Sequence, residues 1–136
     1  MDMWSQAAEN LVVGTALQES NLMWLHQIGD GPALGFFQIE PATHSDLWSN
    51  YIQHRPKLMQ IMHELITPGV DRERQLITNI AYATAVCRLI YYRRPEPLPE
   101  PEDIDGLASY WKQHYNTVLG KGTAAEWSVK YREFAQ

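Results

Sequence analysis

Glu19 is the residue whose type and setting point most directly to acid–base chemistry. It stands near the end of a helix-patterned segment, in Leu17-Gln18-Glu19-Ser20-Asn21-Leu22. Trp4, Ala8, Leu11, Val12, Thr15, Glu19 and Leu22 share one arc at helical spacing, so the carboxyl falls on the apolar side. Ionising a carboxyl there is costly, which raises its pKa. A group protonated near neutrality can donate a proton to a leaving oxygen. The plainer reading of the same position is a Glu that pairs with a cation or reaches solvent at the helix end.

Other reactive residue types are arranged less suggestively. His26, His44, His54, His63 and His114 never fall at a metal-ligand spacing on one helix, and Cys87 is the only cysteine. No metal site and no cofactor are expected. Cys87 reads as a small buried side chain, and a disulfide framework is excluded. Trp24, Trp48 and Trp111 are candidate sugar platforms or core residues.

The elements that must position these groups are helical. The first helix is expected from about Asp2 to Met23, with its second half deeply buried around Leu11, Val12, Val13, Ala16 and Leu17. Gly29-Asp30-Gly31-Pro32 is loop chemistry. Gly35-Phe36-Phe37-Gln38-Ile39 is too short for a helix and is expected to lie as an extended or irregular piece against the first one. Thr43 or Ser45 would cap a short helix through Leu47, Trp48 and Tyr51. Pro56 opens another to about Ile66, and Asp71 opens the longest, to about Tyr92, packed through Ile77, Ile80, Ala81, Thr84, Ala85, Arg88 and Leu89. Prolines 95, 97, 99 and 101 mark a surface loop to Asp103, because too few residues follow to bury a second core. A helix from Ile104 to Tyr115 and a last one capped by Thr123, holding Trp127 and Tyr131, complete the expectation. The fold class is mainly α: a single domain over residues 1–136 of about six helices, with at most a small β element near 27–39.

Composition narrows the partners. The chain has 136 residues, 45% of them hydrophobic, and a formal charge of −5. That profile suits one soluble globular domain with a real core. Beyond Arg93-Arg94 and the Arg72/Arg74 pair there is no basic run, which argues against nucleic acid. No stretch approaches a membrane-spanning length, and no signal-type segment opens the chain. Action outside the cytoplasm would then require delivery by other means.

Three segments together resemble the soluble lytic transglycosylase family. They are Glu19-Ser20-Asn21-Leu22, then Gly35-Phe36-Phe37-Gln38-Ile39 with Pro41-Ala42-Thr43, then His114-Tyr115-Asn116-Thr117 with Gly120-Lys121-Gly122 after it. They occur in the family's order. Phe36-Phe37 replaces the usual Leu-Met, His114 replaces an Ala, and the glycine after Asn116 is delayed to Gly120. The resemblance implies a lysozyme-like helical domain whose groove binds peptidoglycan glycan strands. It implies Glu19 as the single catalytic acid, and Tyr115 as the tyrosine whose hydroxyl hydrogen-bonds it. Ser20, Gln38 and Asn116 match groove positions, and Phe37 and His44 lie in or just past the second motif as further substrate-binding candidates. The implied reaction cleaves the bond between N-acetylmuramic acid and N-acetylglucosamine and leaves a 1,6-anhydromuramoyl end. A second carboxylate, which most hydrolytic glycosidases need, is then unnecessary because a substrate hydroxyl attacks intramolecularly.

Two alternatives stay open. The muramidase pattern E-x8-D-x5-T is absent, since Ile28 and Leu34 occupy its Asp and Thr positions. Hydrolysis through Asp30, Glu40 or Asp46 nevertheless remains chemically available. The other alternative is a catalytically degenerate module that binds peptidoglycan or serves as an assembly or tail component. Small size and the missing signal suggest a bacteriophage or secretion setting, with virion, holin or secretion components as carriers.

Overall fold

Ser5 starts the first helix where the periodicity alone would have begun it earlier. In the computed structural model, which describes residues 3–23, 31–116 and 120–136, its hydroxyl accepts the Ala8 N–H, and α1 runs Gln6–Ser20. Asn21 ends α1 in the left-handed region (φ 52°), donating its N–H to Leu17 O. Leu11, Gly14, Thr15 and Ala16 form the buried stripe, whereas Val12, Val13 and Leu17 are only half-buried. Trp4 (70% exposed) and Leu22 (43%) fall outside the packed arc, because each lies beyond a helix end that its cap sets.

The motif segment that follows is a tight turn. Leu34 and Ile39 form an antiparallel bridge, the β-type feature seen among the described residues. Gly35 takes φ +76°, and a Cβ there would stand 1.9 Å from the Leu76 carbonyl oxygen. Only glycine lets these two backbones approach so closely. Of the expected loop from Gln27 to Pro32, residues 27–30 lie outside the described residues, and Gly31 and Pro32 are in neither helix nor strand.

Helix α2 spans Pro41–Asn50, so Thr43 and Ser45, the two expected caps, both lie inside it. Pro41 sits in its first turn, where a missing N–H and a fixed φ cost nothing. A short 3-10 turn, Ile52–His54, leads to α3, Pro56–Leu65, as the Pro56 signal indicated. The expected long helix from Asp71 is divided into α4, Gln75–Thr78, and α5, Ile80–Tyr92. Asn79 makes the break: its side chain accepts the Tyr82 N–H and donates to Leu65 O at 2.7 Å. The break resets the helical phase, so Ile80, Ala81 and Thr84 are exposed while Tyr82, Ala83, Val86 and Cys87 are buried.

The proline-rich segment is a surface connection tacked down near both ends. Tyr110 donates to Glu96 O at 2.9 Å and Asn10 to Pro101 O at 3.0 Å. Asp103 caps α6, Ile104–Trp111. The next five residues, Lys112–Asn116, are wound as a π turn where an α-helix was expected. Thr123 caps α7, Ala124–Phe134, by accepting the Glu126 N–H. The protein is thus mainly α, with seven α-helices among the described residues. No helix of the described residues is long and apolar enough to cross a membrane.

The apolar cluster joins α1, α2, α3, α5, α6 and α7, with Trp111, Trp127, Tyr82 and Tyr91 among its largest fully buried side chains. Gly14 admits the Trp127 ring, since a Cβ would lie 1.9 Å from the Trp127 Cζ2 atom. Close α1–α7 packing follows, and it sets α1 so that its last turn meets α6.

Candidate active site

Glu19 occupies the last turn of α1 and lines a cleft of about 920 Å³. The cleft wall also includes Gln38, Thr43, Arg94, Trp111, Tyr115 and Gly122. Burial pushes the Glu19 carboxyl up from 4.5 to about 7. Two groups oppose that rise: the Trp111 indole N–H, which donates to Oε1 at 3.1 Å, and the positive charge of Lys130. The C-terminal end of a helix also disfavours a negative charge, and α1 has no basic residue in its last turn. The result is a carboxyl close to half-protonated at neutral pH, held in one orientation by a buried donor.

Tyr115 lines the same cleft, but its hydroxyl proton is directed elsewhere. It donates to the Phe37 carbonyl at 2.5 Å, and the ring stacks on Tyr91 with centroids 5.2 Å apart. Trp111, and not Tyr115, is therefore the hydrogen-bond donor to Glu19. The reason is geometric. The π turn carries Tyr115 over the Gly35–Gln38 turn, whose strained backbone leaves a carbonyl free to accept. Tyr115 couples the third motif to the second, and burial raises its pKa well above 10.0.

Gln38 and Asn116 also line the cleft. Gln38 adopts φ 47°, and its Nε2 donates to Gly35 O at 2.8 Å, which closes the turn on itself. Asn116 accepts from Lys112 Nζ at 2.6 Å. The other three substrate-binding candidates are absent from the cleft lining. Ser20 is buried, donates to Ala16 O and accepts from Leu22 N, so its hydroxyl serves the helix end. The Phe37 ring is 4% exposed and faces a separate apolar pocket of about 610 Å³; only its carbonyl serves the site, through Tyr115. His44 points into the core, where its Nε2 meets Tyr82 Oη at 2.6 Å.

Of the tryptophans considered as platforms, Trp48 is buried with its N–H donated to Tyr82, and Trp111 is fully buried beneath Glu19. Trp24 lies outside the described residues, as do His26, Ile28 and Asp30. Among the carboxylates considered as second acids, Glu40 lines the cleft. Asp46 is paired with Arg93 at 2.7 Å, and with Asn50 also donating to it, its pKa is held below 3.8.

Several cleft residues were not singled out from the sequence. Glu126 lines the wall and accepts from Gln18 Nε2 at 3.2 Å. Arg93 and Arg94 follow the C-terminus of α5 and bring positive charge to the cleft. Their pairing was visible as the longest basic run, but nothing local tied it to Glu19. The role of Trp111 was hidden for a similar reason, since it lies 92 positions from its partner.

The cleft can therefore hold an extended polar ligand against one carboxyl poised to give and take a proton. No protein-family model, curated protein or solved structure matches the chain.

Proposed function

We propose that the protein is a peptidoglycan lytic transglycosylase on a lysozyme-like helical fold, with Glu19 as its general acid and base. The observation that carries this reading is the Glu19 carboxyl, raised to about 7 in the wall of an open polar cleft. A group with a pKa near the working pH is efficient both as donor and as acceptor. In the proposed reaction, protonated Glu19 gives its proton to the glycosidic oxygen as the bond to the muramoyl C1 breaks. The muramoyl 6-hydroxyl then bonds to C1 and returns its proton to the Glu19 carboxylate. The products are a 1,6-anhydromuramoyl end and a free N-acetylglucosamine hydroxyl, and no water is consumed. The order of the three motifs supports the choice of substrate, as does the meeting of Glu19, Gln38, Tyr115 and Asn116 in one cleft.

A hydrolytic muramidase is the second reading. The positions of Glu40 and Glu126 in the same cleft favour it, because either could activate a water.

Digestion of purified peptidoglycan, with the new sugar termini read by mass spectrometry, tests both readings. Anhydromuramoyl ends that disappear with Glu19→Gln are expected. Reducing ends in their place would move the assignment to hydrolysis. Folded protein that yields no Glu19-dependent product on suitable walls would leave a binding or assembly role, in a virion or secretion apparatus.

A further inference from the structure

Lys112 is a charged side chain with no carboxylate partner among its hydrogen bonds. Its ammonium donates to three neutral oxygens: Asn116 Oδ1 at 2.6 Å, Gly120 O at 2.9 Å and Gly122 O at 2.8 Å. That accounts for all three of its N–H protons. Two of the acceptors are main-chain carbonyls of the strap 120–122, and the third belongs to the π turn. The ammonium thus occupies the place a bound cation would take in a loop of converging carbonyls.

The strap lies where its position matters. Gly120 and Gly122 both line the cleft that contains Glu19. A Cβ on Gly122 would stand 2.7 Å from Trp111 Cη2 and 3.0 Å from Gln18 Nε2, so the strap rests on the indole that donates to Glu19. A Cβ on Gly120 would stand 2.3 Å from Asn116 Oδ1, so the strap also rests on the residue that shares the ammonium. Lys112 and Asn116, four positions apart in the π turn, lie on one side and face the strap.

We propose that Lys112 is a positioning residue for Glu19: it clamps the strap 120–122 over Trp111, and so keeps water from the carboxyl and the indole N–H aimed at it. Its catalytic consequence rests on the proposed role of Glu19, but its structural consequence does not. Trp111 from α6 and Lys130 from α7 act on Glu19, and the Glu19 charge in turn raises the pKa of Cys87 and Tyr91 on α5 and of Tyr115 in the π turn. Lys112 is not one of them, so its effect would come through solvent access and not through direct charge.

The test is a carbon-13 NMR titration of the Glu19 carboxyl in the intact chain, alongside the Trp111 indole N–H resonance, in wild type and Lys112→Met. Loosening the strap hydrates Glu19, so its midpoint should fall from about 7 toward 4.5 and the indole resonance should broaden or move. Lys112→Arg, which restores cationic donors, should recover most of the wild-type midpoint. An unchanged midpoint and indole resonance in folded Lys112→Met would overturn the proposal. If Lys112→Met does not fold, Gly122→Ala displaces the same strap with the ammonium intact, and the same two outcomes decide. On peptidoglycan, Lys112→Met should lower kcat/KM about tenfold or more, the scale of a misplaced catalytic group. A wild-type protein inactive on every wall, yet with the Glu19 midpoint dependent on Lys112, would refute the transglycosylase reading and leave the clamp standing.

Discussion

Trp111 Nε1 donates to Glu19 Oε1 at 3.1 Å, joining the last turn of α1 to the last residue of α6. The bond favours the ionised carboxyl and so partly offsets the effect of burial. Trp111→Phe removes the donor, and the Glu19 midpoint should rise above about 7. In the proposed reaction Glu19 must be protonated, so the alkaline limb of the pH–activity profile should move up with it. Replacing a fully buried indole by a smaller ring should also cost about 2 kcal/mol, measurable by urea denaturation.

Glu19→Gln should abolish glycan cleavage while making the protein more stable in alkaline buffer. Below pH 4.5 the carboxyl is neutral in folded and unfolded chains, and it makes no pH-dependent contribution. As pH rises from 4.5 through about 7, the unfolded chain ionises first, so the native state loses relative stability. The amide is free of that loss. At pH 8 the variant should exceed wild type by up to about 3 kcal/mol, with the difference vanishing near pH 4. Equal stabilities at pH 8 would show that Glu19 titrates in the folded protein as a solvated carboxyl does.

His44 should act with the opposite sign. Trp48 donates to Tyr82 at 2.8 Å, leaving the Tyr82 hydroxyl proton for His44 Nε2, so the imidazole is held neutral. Burial, followed by the charge of Arg72, lowers its pKa from 6.5 to about 4. Above pH 6.5 the stability this provides is complete. As pH falls from 6.5 through about 4, the unfolded chain takes up the proton first and the native state is destabilised. His44→Gln should cost about 1 kcal/mol at neutral pH and remove the acid-side loss. Between pH 4.5 and 6.5 the Glu19 and His44 effects oppose each other, so the wild-type profile should be shallow there and each variant should tilt it.

Two glycines with positive φ should respond very differently to alanine. Gly69 has φ +80° and open space around its missing Cβ, so Gly69→Ala should cost about 1 kcal/mol of backbone strain. Gly35 has φ +76° and the Leu76 carbonyl 1.9 Å from that position. Gly35→Ala must also push α4 away, and a loss above about 3 kcal/mol is expected by chemical denaturation. Similar losses in both variants would show that the Gly35–Leu76 approach can relax.

Local chemistry makes several elements legible in the sequence. Pro56 and Thr123 announce α3 and α7, because a first-turn proline and a side-chain cap act within four residues. Asn79 could not be read the same way. Its effect depends on Leu65 O, 14 positions away, which holds the side chain that breaks the helix. Glu19 was visible through the periodicity of α1 alone. Ser20 and Asn116 illustrate the limit: both match a motif, yet one is consumed by its own helix and the other faces the cleft. The difference lies in the left-handed Asn21 and in the π turn, and neither has a reliable signature in the residues themselves.

The separation of Glu19 from the groups that condition it has a consequence for synthesis. Trp111, the strap 120–122 and Lys130 leave the ribosome roughly a hundred residues after the carboxyl, several seconds later at ordinary elongation rates. Until then the group lacks both the indole donor and the Lys130 charge that set its acidity in the folded protein. The acidity that Glu19 has in the folded protein is therefore set only once α6 and α7 dock on α1.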